Sequence, residues 1–129
     1  MVKEFVKNEK KYWEFIRELR NHPNVKTGFI EQDHIDRFDH VLYMQRLGSH
    51  FYVCLVDGEP AGYIGVLSGD IRVATHPNFQ GKGVGKFMVN KLMDSHPNSF
   101  AKVKVDNEAS LRLFESCGFN RKYFILERS

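Results

Sequence analysis

The sequence predicts one α/β domain with a mixed, mostly antiparallel sheet, in the order β-α-α-β-β-β-α-β-α-β. Segments with the alternation of strands and segments with apolar residues at helical spacing follow one another along the chain. A chain of 129 residues with 42% hydrophobic residues is large enough for a single core. Because no linker, repeat or low-complexity tract divides the chain, we expect one domain over residues 1–129.

The predicted strands are short alternating segments bounded by turn residues. They are residues 3–6, 51–56, 60–67, 70–75, 101–105 and 121–127. Asp57-Gly58 is expected to form a hairpin turn, and Ser68-Gly69 a second turn, since such dipeptides favour tight reversals. The three strands between residues 51 and 75 are therefore expected to follow one another directly.

The predicted helices are segments in which apolar residues recur every three or four positions. They are residues 9–20, 33–47, 83–94 and 107–117. The first is expected to end at the turn residues 21–24, and the last at Gly118. For the second, Asp33 is the expected N-cap and Gly48 the stop. Its inward face is expected to hold Ile35, Phe38, Val41 and Leu42.

The loop Gln80-Gly81-Lys82-Gly83-Val84-Gly85 joins the strand at 70–75 to the helix that follows. It carries few side chains, so several backbone N–H groups can point at one ligand. The helix behind it adds unpaired N–H groups and the positive end of its dipole. The loop therefore predicts a phosphate or pyrophosphate site. The alternative is a glycine-rich turn that binds no ligand.

Three kinds of phosphate loop were compared with this segment. A Walker loop requires Ser or Thr after Gly-Lys, whereas Phe87 follows Gly85-Lys86. A dinucleotide-binding loop requires the spacing G-x-G-x-x-G and a later acidic residue, and this chain has G-x-G-x-G. The third kind, Gln/Arg-x-x-Gly-x-Gly/Ala, is typical of the GCN5-related N-acetyltransferases (GNAT). Gln80, Gly83 and Gly85 match it.

A second signature strengthens this resemblance. The segment from Asn107 to Phe119 looks like the family's helix, which reads Ser-x-x-x-Tyr/Phe-Glu-x-x-Gly-Phe after a strand that ends at Asn. A His-Pro-x-Tyr/Phe turn, here His76 to Phe79, precedes the glycine loop as in many members. The chain is therefore identified as a member of the GNAT superfamily over residues 60 to 119. The resemblance implies a central pair of splayed parallel strands, 70–75 and 101–105.

The resemblance implies acetyl-CoA as the donor, with coenzyme A as product and no metal. Its pantetheine arm is expected to enter between the splayed strands, and its pyrophosphate to bind the loop. The expected cofactor-binding residues are Val73, Ala74, Thr75, Gln80, Gly81, Lys82, Gly83, Val84, Gly85, Lys86, Asn107, Ser110 and Phe114. Asn107 has a second possible role as a helix N-cap.

The residues expected near the thioester sulfur of acetyl-CoA depart from the family pattern. Most members carry Tyr at the position of Phe114, and that phenol is often assigned the protonation of the leaving thiolate. Phe114 has no proton to give, so water, Ser110 or Ser116 are the candidate substitutes. Asp70 is a candidate general base, and a solvated turn residue is the alternative. The acceptor wall is expected to include Glu31, His34 and Tyr63.

The acceptor is expected to be a primary amine of a small molecule. The segment from Leu19 to Val25, with His40 and Tyr43, resembles a branch that acts on amino groups of nucleotide-linked sugars. A protein or peptide amine and a small polyamine are the alternatives within the enzyme class. Two further alternatives are not enzymes: a non-catalytic module that binds acyl-CoA, and a protein that binds nucleotide phosphates.

Composition excludes several other classes. The net charge of +3 is spread over both halves of the chain, so nucleic-acid binding is not indicated. The six histidines lack metal-ligand spacing. The absence of a long apolar run and of a signal-peptide pattern predicts a cytoplasmic protein without membrane contact. We expect a monomer or a homodimer.

Overall fold

A four-stranded antiparallel sheet with the order β1-β2-β3-β4 forms the centre of the computed structural model, which describes residues 1–30 and 33–129. The strands are β1 (Lys3–Lys7), β2 (Phe51–Val56), β3 (Glu59–Leu67) and β4 (Asp70–Thr75). In the register, Val53 faces Tyr63 and Ile64 faces Val73. The α/β class and these four predicted strands are confirmed.

The two turns between these strands are the tight reversals that the sequence predicts. Asp57 and Gly58 have φ values of 49° and 85°, and Ser68 and Gly69 have 51° and 82°. Both central residues of each turn are therefore left-handed, as a type I′ hairpin requires. This local chemistry fixes the order in which β2, β3 and β4 meet.

Helices cover both faces of the sheet. They are α1 (Trp13–Asn21), α2 (Pro23–Lys26), α3 (Arg37–Leu47), α4 (Val84–Ser95) and α5 (Glu108–Ser116). The short α2 was not expected, because residues 21–24 predicted a turn. His22 begins it, and its Nδ1 accepts a hydrogen bond of 3.1 Å from the backbone N–H of Asn24. His76 makes the same contact with Asn78, at the turn before the glycine loop.

Helix α3 begins later than the sequence predicted. Its N-cap is Asp36, whose Oδ1 accepts a 2.8 Å hydrogen bond from the backbone N–H of Asp39, and not Asp33. Both aspartates are plausible caps by residue type, so the sequence alone does not choose between them. Gly48 follows the last residue of the helix, as expected.

The inward face of α3 also differs from the prediction. His40 and Met44 are buried, whereas Phe38 is 72% and Leu42 51% exposed, so the prediction for these two apolar residues was wrong. The buried His40 ring explains the rotation of the helix, because its Nε2 donates a 2.8 Å hydrogen bond to the Trp13 carbonyl. Burial also lowers the pKa of His40, which keeps the ring neutral.

The last two predicted strands are absent as regular strands from the described residues. Among the described residues that follow α4, only Phe100 pairs with β4: its carbonyl accepts from the Ile71 N–H at 2.9 Å, and its N–H donates to the Gly69 carbonyl at 2.8 Å. Residues 101–105 then leave the sheet. The alternating segment 121–127 consequently has no neighbouring ladder to join, and its apolar residues from Tyr123 to Leu126 are exposed.

Two hydrophobic clusters lie on opposite faces of the sheet, because successive strand residues point to opposite sides. Tyr63 packs with α1 and α3, whereas its neighbour Ile64 packs with α4 and α5. The sheet is therefore a middle layer, and β4 is its edge towards residues 101–105. No helix in the described ranges combines the length and the apolar content needed to cross a bilayer.

Candidate active site

A cleft of about 950 Å³ opens where β4 and the segment after Phe100 separate. The two hydrogen bonds at Phe100 close one end of the gap. Beyond them, β4 has a free edge, and an edge strand leaves every second N–H and C=O group without a ladder partner. Such an edge can pair with an extended ligand that carries amide groups. The predicted residues that line the cleft are Asp70, Tyr63, Val73, Ala74, Thr75, Gln80, Asn107, Ser110 and Phe114.

The glycine loop begins at the rim of this cleft, where Gln80 contributes to the lining. Gly83 is the N-cap of α4 with a φ of 76°, and it caps the helix without a side-chain hydrogen bond. A left-handed cap of this kind favours glycine. Because no side chain covers the helix start, the first N–H groups of α4 remain available to an anion.

Gly85 has a different role, which is close packing. A Cβ there would lie 3.1 Å from Cδ2 of Leu113 and 3.7 Å from Oγ1 of Thr75. Glycine therefore lets the first turn of α4 approach both α5 and the end of β4. Val84 is buried in the core, so only its backbone faces the loop side.

Three lysines surround the loop. Lys82 and Lys86 are exposed, and the Lys82 ammonium lies 5.6 Å from the centre of the Phe79 ring. The third, Lys3 on β1, was missed by the sequence analysis. Its Nζ would lie 3.8 Å from a Cβ at Gly83. Lys3 is remote in sequence from the loop, so no local motif could have indicated it.

Phe114 lines the cleft and is buried, with its ring in an edge-to-face contact with Phe119 at 5.2 Å. Of the two serines considered as substitutes for a phenol, Ser110 lines the cleft. The Ser116 hydroxyl donates a 2.7 Å hydrogen bond to the Leu113 carbonyl instead. The structure therefore brings only Ser110 to the cleft.

Asn107 connects the two walls of the cleft. Its Oδ1 accepts a 3.1 Å hydrogen bond from the backbone N–H of Ser110, which caps α5, as the sequence predicted. Its Nδ2 donates to the carbonyl of Gly28, at 3.2 Å. Beside it, Lys104 Nζ donates to the carbonyl of Thr27, at 3.0 Å. We call the two bonds to the carbonyls of Gly28 and Thr27 the clasp. They tie the segment after α2 to the wall that carries Asn107 and Lys104.

The clasp can be tested by two substitutions of Asn107. Asp retains the oxygen that caps α5 but loses the N–H that holds Gly28, whereas Ala loses both. We expect Asn107→Ala to lower the free energy of unfolding by about 2 kcal/mol, because the cap and the bond to Gly28 are both lost. Asn107→Asp should lower it by about 1 kcal/mol, because the carboxylate keeps the cap but cannot donate to the Gly28 carbonyl. Both should raise the KM for the acceptor, by roughly two- to tenfold for one hydrogen bond. Urea unfolding and steady-state kinetics measure these effects. An acceptor KM that stays at the wild-type value in both variants would contradict the clasp.

A row of aromatic rings, which we call the aromatic wall, also lines the cleft. The rings of Tyr43, Phe51 and Tyr63 follow one another with centre-to-centre distances of 6.2 and 6.0 Å. Tyr63 is only 2% exposed. Burial raises the pKa of its phenol far above the usual value, and the positive charges of Arg20 and Arg72 offset only part of this rise. The Tyr63 hydroxyl therefore keeps its proton at physiological pH.

Asp70 lies at the closed end of the cleft and is held by two cations. Its Oδ2 accepts a 3.2 Å hydrogen bond from Nε of Arg72, and it forms ion pairs with Nη2 of Arg72 at 3.2 Å and with Nζ of Lys102 at 3.9 Å. Of the other predicted acceptor residues, His34 is exposed and is not part of the cleft lining. Glu31 lies outside the described residues.

Several lining residues were missed by the sequence analysis. They include Arg20, Asn24, Thr27, Gly28, Arg72 and Lys102. Arg72 follows Asp70 and Lys102 follows Phe100, each by two residues, near the starts of the two predicted parallel strands. This position in the sequence could have indicated that both cations lie at the site. Thr27 and Gly28 carry no such signal, because they reach the site only through the clasp.

The free edge of β4, the side-chain-free loop at the start of α4 and the capped helix α5 together define an acyl-CoA-dependent transferase. The groove suits an amide-bearing arm, and the loop suits a pyrophosphate. The Acetyltransferase (GNAT) family matches residues 12–119, and this chain belongs to that family.

Known proteins similar to this chain agree with this assignment. In sequence it is similar to the L-amino acid N-acyltransferase MnaT of Escherichia coli K12, with 29% identity over 123 residues, 81% of this chain and 72% of the relative. Its fold is similar to that of spermidine N-acetyltransferase from Vibrio cholerae in complex with CoA and spermine (TM-score 0.81, 20% identity, 98% of this chain and 85% of the other). It is also similar to yncA from Salmonella typhimurium with its cofactor acetyl-CoA (TM-score 0.76, 24% identity, 93% and 80%).

A further structural relative is AAC(6')-Iy in complex with a bisubstrate analog, CoA-S-monomethyl-acetylneamine (TM-score 0.72, 15% identity, 100% of this chain and 99% of the other). At these identities the structural likeness establishes the fold. With the family membership and the cleft, it identifies the chain as an acetyl-CoA-dependent N-acetyltransferase.

Proposed function

We propose that this N-acetyltransferase acts on a primary amine of a small molecule, which enters the cleft beside Tyr63. One observation carries the proposal: a single cleft is lined both by the edge of β4 with Asn107 and Phe114 and by the aromatic wall. The first set of residues suits the donor, and the second is left for the acceptor. The acceptor names of the relatives, an L-amino acid and a polyamine, favour small amines as a class.

Acetyl-CoA supplies an acetyl thioester, and the residues named here hold and orient it. The backbone of Val73 to Thr75 is proposed to pair with the pantetheine arm, and the loop from Gln80 to Lys86 to bind the pyrophosphate. Asn107, Ser110 and Phe114 form the opposite wall. Orientation of the two reactants can supply several kcal/mol of the barrier. The amine nitrogen takes the acetyl group as the C–S bond breaks, and its lost proton balances the one that the CoA thiol gains.

We infer that Asp70 anchors Arg72 and Lys102 and does not serve as the general base. One of its two oxygens, Oδ2, is committed to Arg72 and Lys102, and Asp70 lies where the Phe100 hydrogen bonds close the cleft, away from the free edge of β4. Asp70→Asn is therefore expected to lower kcat by less than about tenfold, because general-base catalysis is worth roughly a hundred- to ten-thousand-fold. The pH profile of kcat should keep its shape. A loss of a hundredfold or more, with a lost acidic limb, would restore Asp70 as the base.

The proposed function is tested by thiol release from acetyl-CoA with a panel of amines, and by mass analysis of the products. The panel holds α-amino acids, spermidine, an aminoglycoside, a nucleotide-linked amino sugar and a peptide with a free N-terminus. We expect acetylation of at least one small amine and none of the peptide. Acceptor-dependent release with the peptide alone would show a protein-directed enzyme. Binding of acetyl-CoA, seen as a raised Tm, without acetylation of any amine would show a non-catalytic acyl-CoA-binding module.

A nucleotide-linked amino sugar stays in the panel because of the N-terminal resemblance noted above. The names of the compared proteins do not support it. A nucleotide-linked amino sugar and an amino acid are alike in one respect, because both carry an anionic group.

A further inference from the structure

The acceptor side of the cleft carries an arginine that no carboxylate of the described residues neutralises. Arg20, on α1, is half-buried and lines the cleft. Within the ranges 1–30 and 33–129, no carboxylate lies within ion-pair distance of its guanidinium. Arg17, one turn earlier on the same helix, differs: its Nε donates to both oxygens of Glu14 at 3.0 Å. The two arginines are thus in different electrostatic states.

An aromatic contact, and no carboxylate among residues 1–30 and 33–129, holds Arg20 in place. Its guanidinium carbon lies 5.0 Å from the centre of the Tyr43 ring, the geometry of a cation–π contact. Stacking on an aromatic face leaves the in-plane N–H donors of a guanidinium free. That planar fork matches a carboxylate or a phosphate in two parallel hydrogen bonds.

The other charges of the cleft lining add to this positive field. Arg72 and Lys102 share one partner, Asp70, so two cations face one carboxylate. The remaining acidic side chain that lines the described cleft is Asp106, which is exposed in the turn before α5. An acceptor with a negative group is therefore attracted to the Arg20 side, and a polycation is repelled from it.

We propose that Arg20 selects acceptors in which the amine is accompanied by an anionic group, a carboxylate or a phosphate, and that polyamines are rejected. The inference rests on the proposed function, because it assumes that the acceptor enters beside the aromatic wall. In this arrangement Arg20 binds the anionic group, and Tyr43 fixes the guanidinium. The two anion sources, an amino acid and a phosphate-bearing amino sugar, are separated by the experiment.

The experiment compares pairs of acceptors that differ in charge. The first pair is an α-amino acid and its amide, and the second is a nucleotide-linked amino sugar and the free amino sugar. Spermidine is the polycation. For the wild-type protein we expect kcat/KM to favour the anionic member of one pair by about ten- to a hundredfold, which is what a charge-assisted hydrogen bond is worth. The pair that shows the preference identifies the anion source.

Substitutions of Arg20 then locate this preference. Arg20→Met, which keeps much of the side-chain length, is expected to bring the two members of the pair to within about threefold of each other, since the charge-assisted bond is lost. Arg20→Lys should keep part of the preference, because the charge remains and the fork is lost. Arg46→Met is the matched control: Arg46 is an exposed arginine on α3 and is not part of the cleft lining. It should keep the wild-type preference. The Tm of each variant shows whether the fold is retained.

Three results would overturn the proposal. They are equal use of both members of each pair by the wild type, a preference for spermidine, and a loss of activity in Arg20→Met that is the same for the charged and neutral members. Calorimetric titration of the amino acid, the nucleotide-linked sugar and their neutral partners into CoA-saturated protein gives a readout that needs no turnover. Charge-dependent binding that disappears in Arg20→Met supports the role of Arg20 even if the acetylation assay fails, and binding without that dependence overturns it.

Discussion

Replacing Gly83 by Asp is expected to abolish acetyl-CoA binding while the fold remains. Gly83 caps α4 with a φ of 76°, and the open helix start behind it is the proposed pyrophosphate site. An aspartate would place a negative charge in the loop that receives this anion, beside Lys3, whose Nζ would lie 3.8 Å from the new Cβ. It would repel the pyrophosphate and neutralise this lysine, which together cost about 4 kcal/mol near a protein surface. The Kd for acetyl-CoA should therefore rise by roughly a hundred- to a thousandfold.

Gly83→Asp is informative because its effect on folding should be small. Asp is among the residues that tolerate a left-handed conformation, and it is a favourable N-cap. Gly83→Ala introduces the same backbone strain without the charge, so it should lose far less affinity than Gly83→Asp. Gly58→Asp is a remote control, since Gly58 has a φ of 85° in a hairpin turn and a Cβ there meets nothing within 4 Å. Calorimetry measures the Kd of each variant, and Tm reports folding. Wild-type affinity in Gly83→Asp would move the pyrophosphate site elsewhere.

The donor side of the cleft could be predicted from the sequence because its determinants are local. The turn dipeptides at residues 57 and 68, the left-handed Gly83 and the Asn107 cap each act within a few residues of themselves. Local steric and hydrogen-bonding rules are therefore sufficient to recognise them. The signature around the loop and α5 matches the family pattern, and the proposal that this geometry binds CoA rests on that match.

The rotation of α3 could not be predicted, because it depends on a contact between distant residues. Apolar periodicity favoured Phe38 and Leu42 as the inward face, yet the buried face holds His40 and Met44. The hydrogen bond from His40 to the Trp13 carbonyl joins residues far apart in the sequence. A polar residue at the core position is not visible to a rule that counts apolar residues.

The last two strands show a second limit. Residues 101–105 and 121–127 have the composition of strands, but a strand forms only where a partner edge is within reach. After Phe100 the chain diverges from β4, and this divergence forms the cleft. The acceptor side of the cleft is equally hard to predict from the sequence, because Arg20 and Lys102 meet in one cleft only after α1 packs on the sheet.

Substitution of Gly62 by Ala is expected to cause a large loss of stability. Gly62 lies on β3 opposite Thr75, and a Cβ there would be 2.7 Å from the carbonyl oxygen of Ala74 and 2.8 Å from Cε of Met88. The carbonyl belongs to the main chain of β4, so it cannot withdraw without a shift of the strand. The Met88 methyl ends a flexible side chain, but Met88 is fully buried on α4 and must repack within the core if it moves. We expect the free energy of unfolding to fall by about 3 kcal/mol, near the upper end for overpacking a core.

Gly48→Ala is the matched control for this prediction. A Cβ at Gly48 would lie 3.4 Å from Nδ2 of Asn8 and 3.5 Å from Sδ of Met44, which are ordinary contacts, and its φ of −59° suits alanine. This variant should be neutral or more stable by up to about 1 kcal/mol, because alanine restricts the unfolded chain. Urea unfolding of both proteins measures the difference. Because Ala74 also lines the cleft, Gly62→Ala should weaken acetyl-CoA binding as well. Unfolding and binding that match the wild type would mean that β3, β4 and α4 are not packed this closely, and that the cleft wall at Ala74 is misplaced.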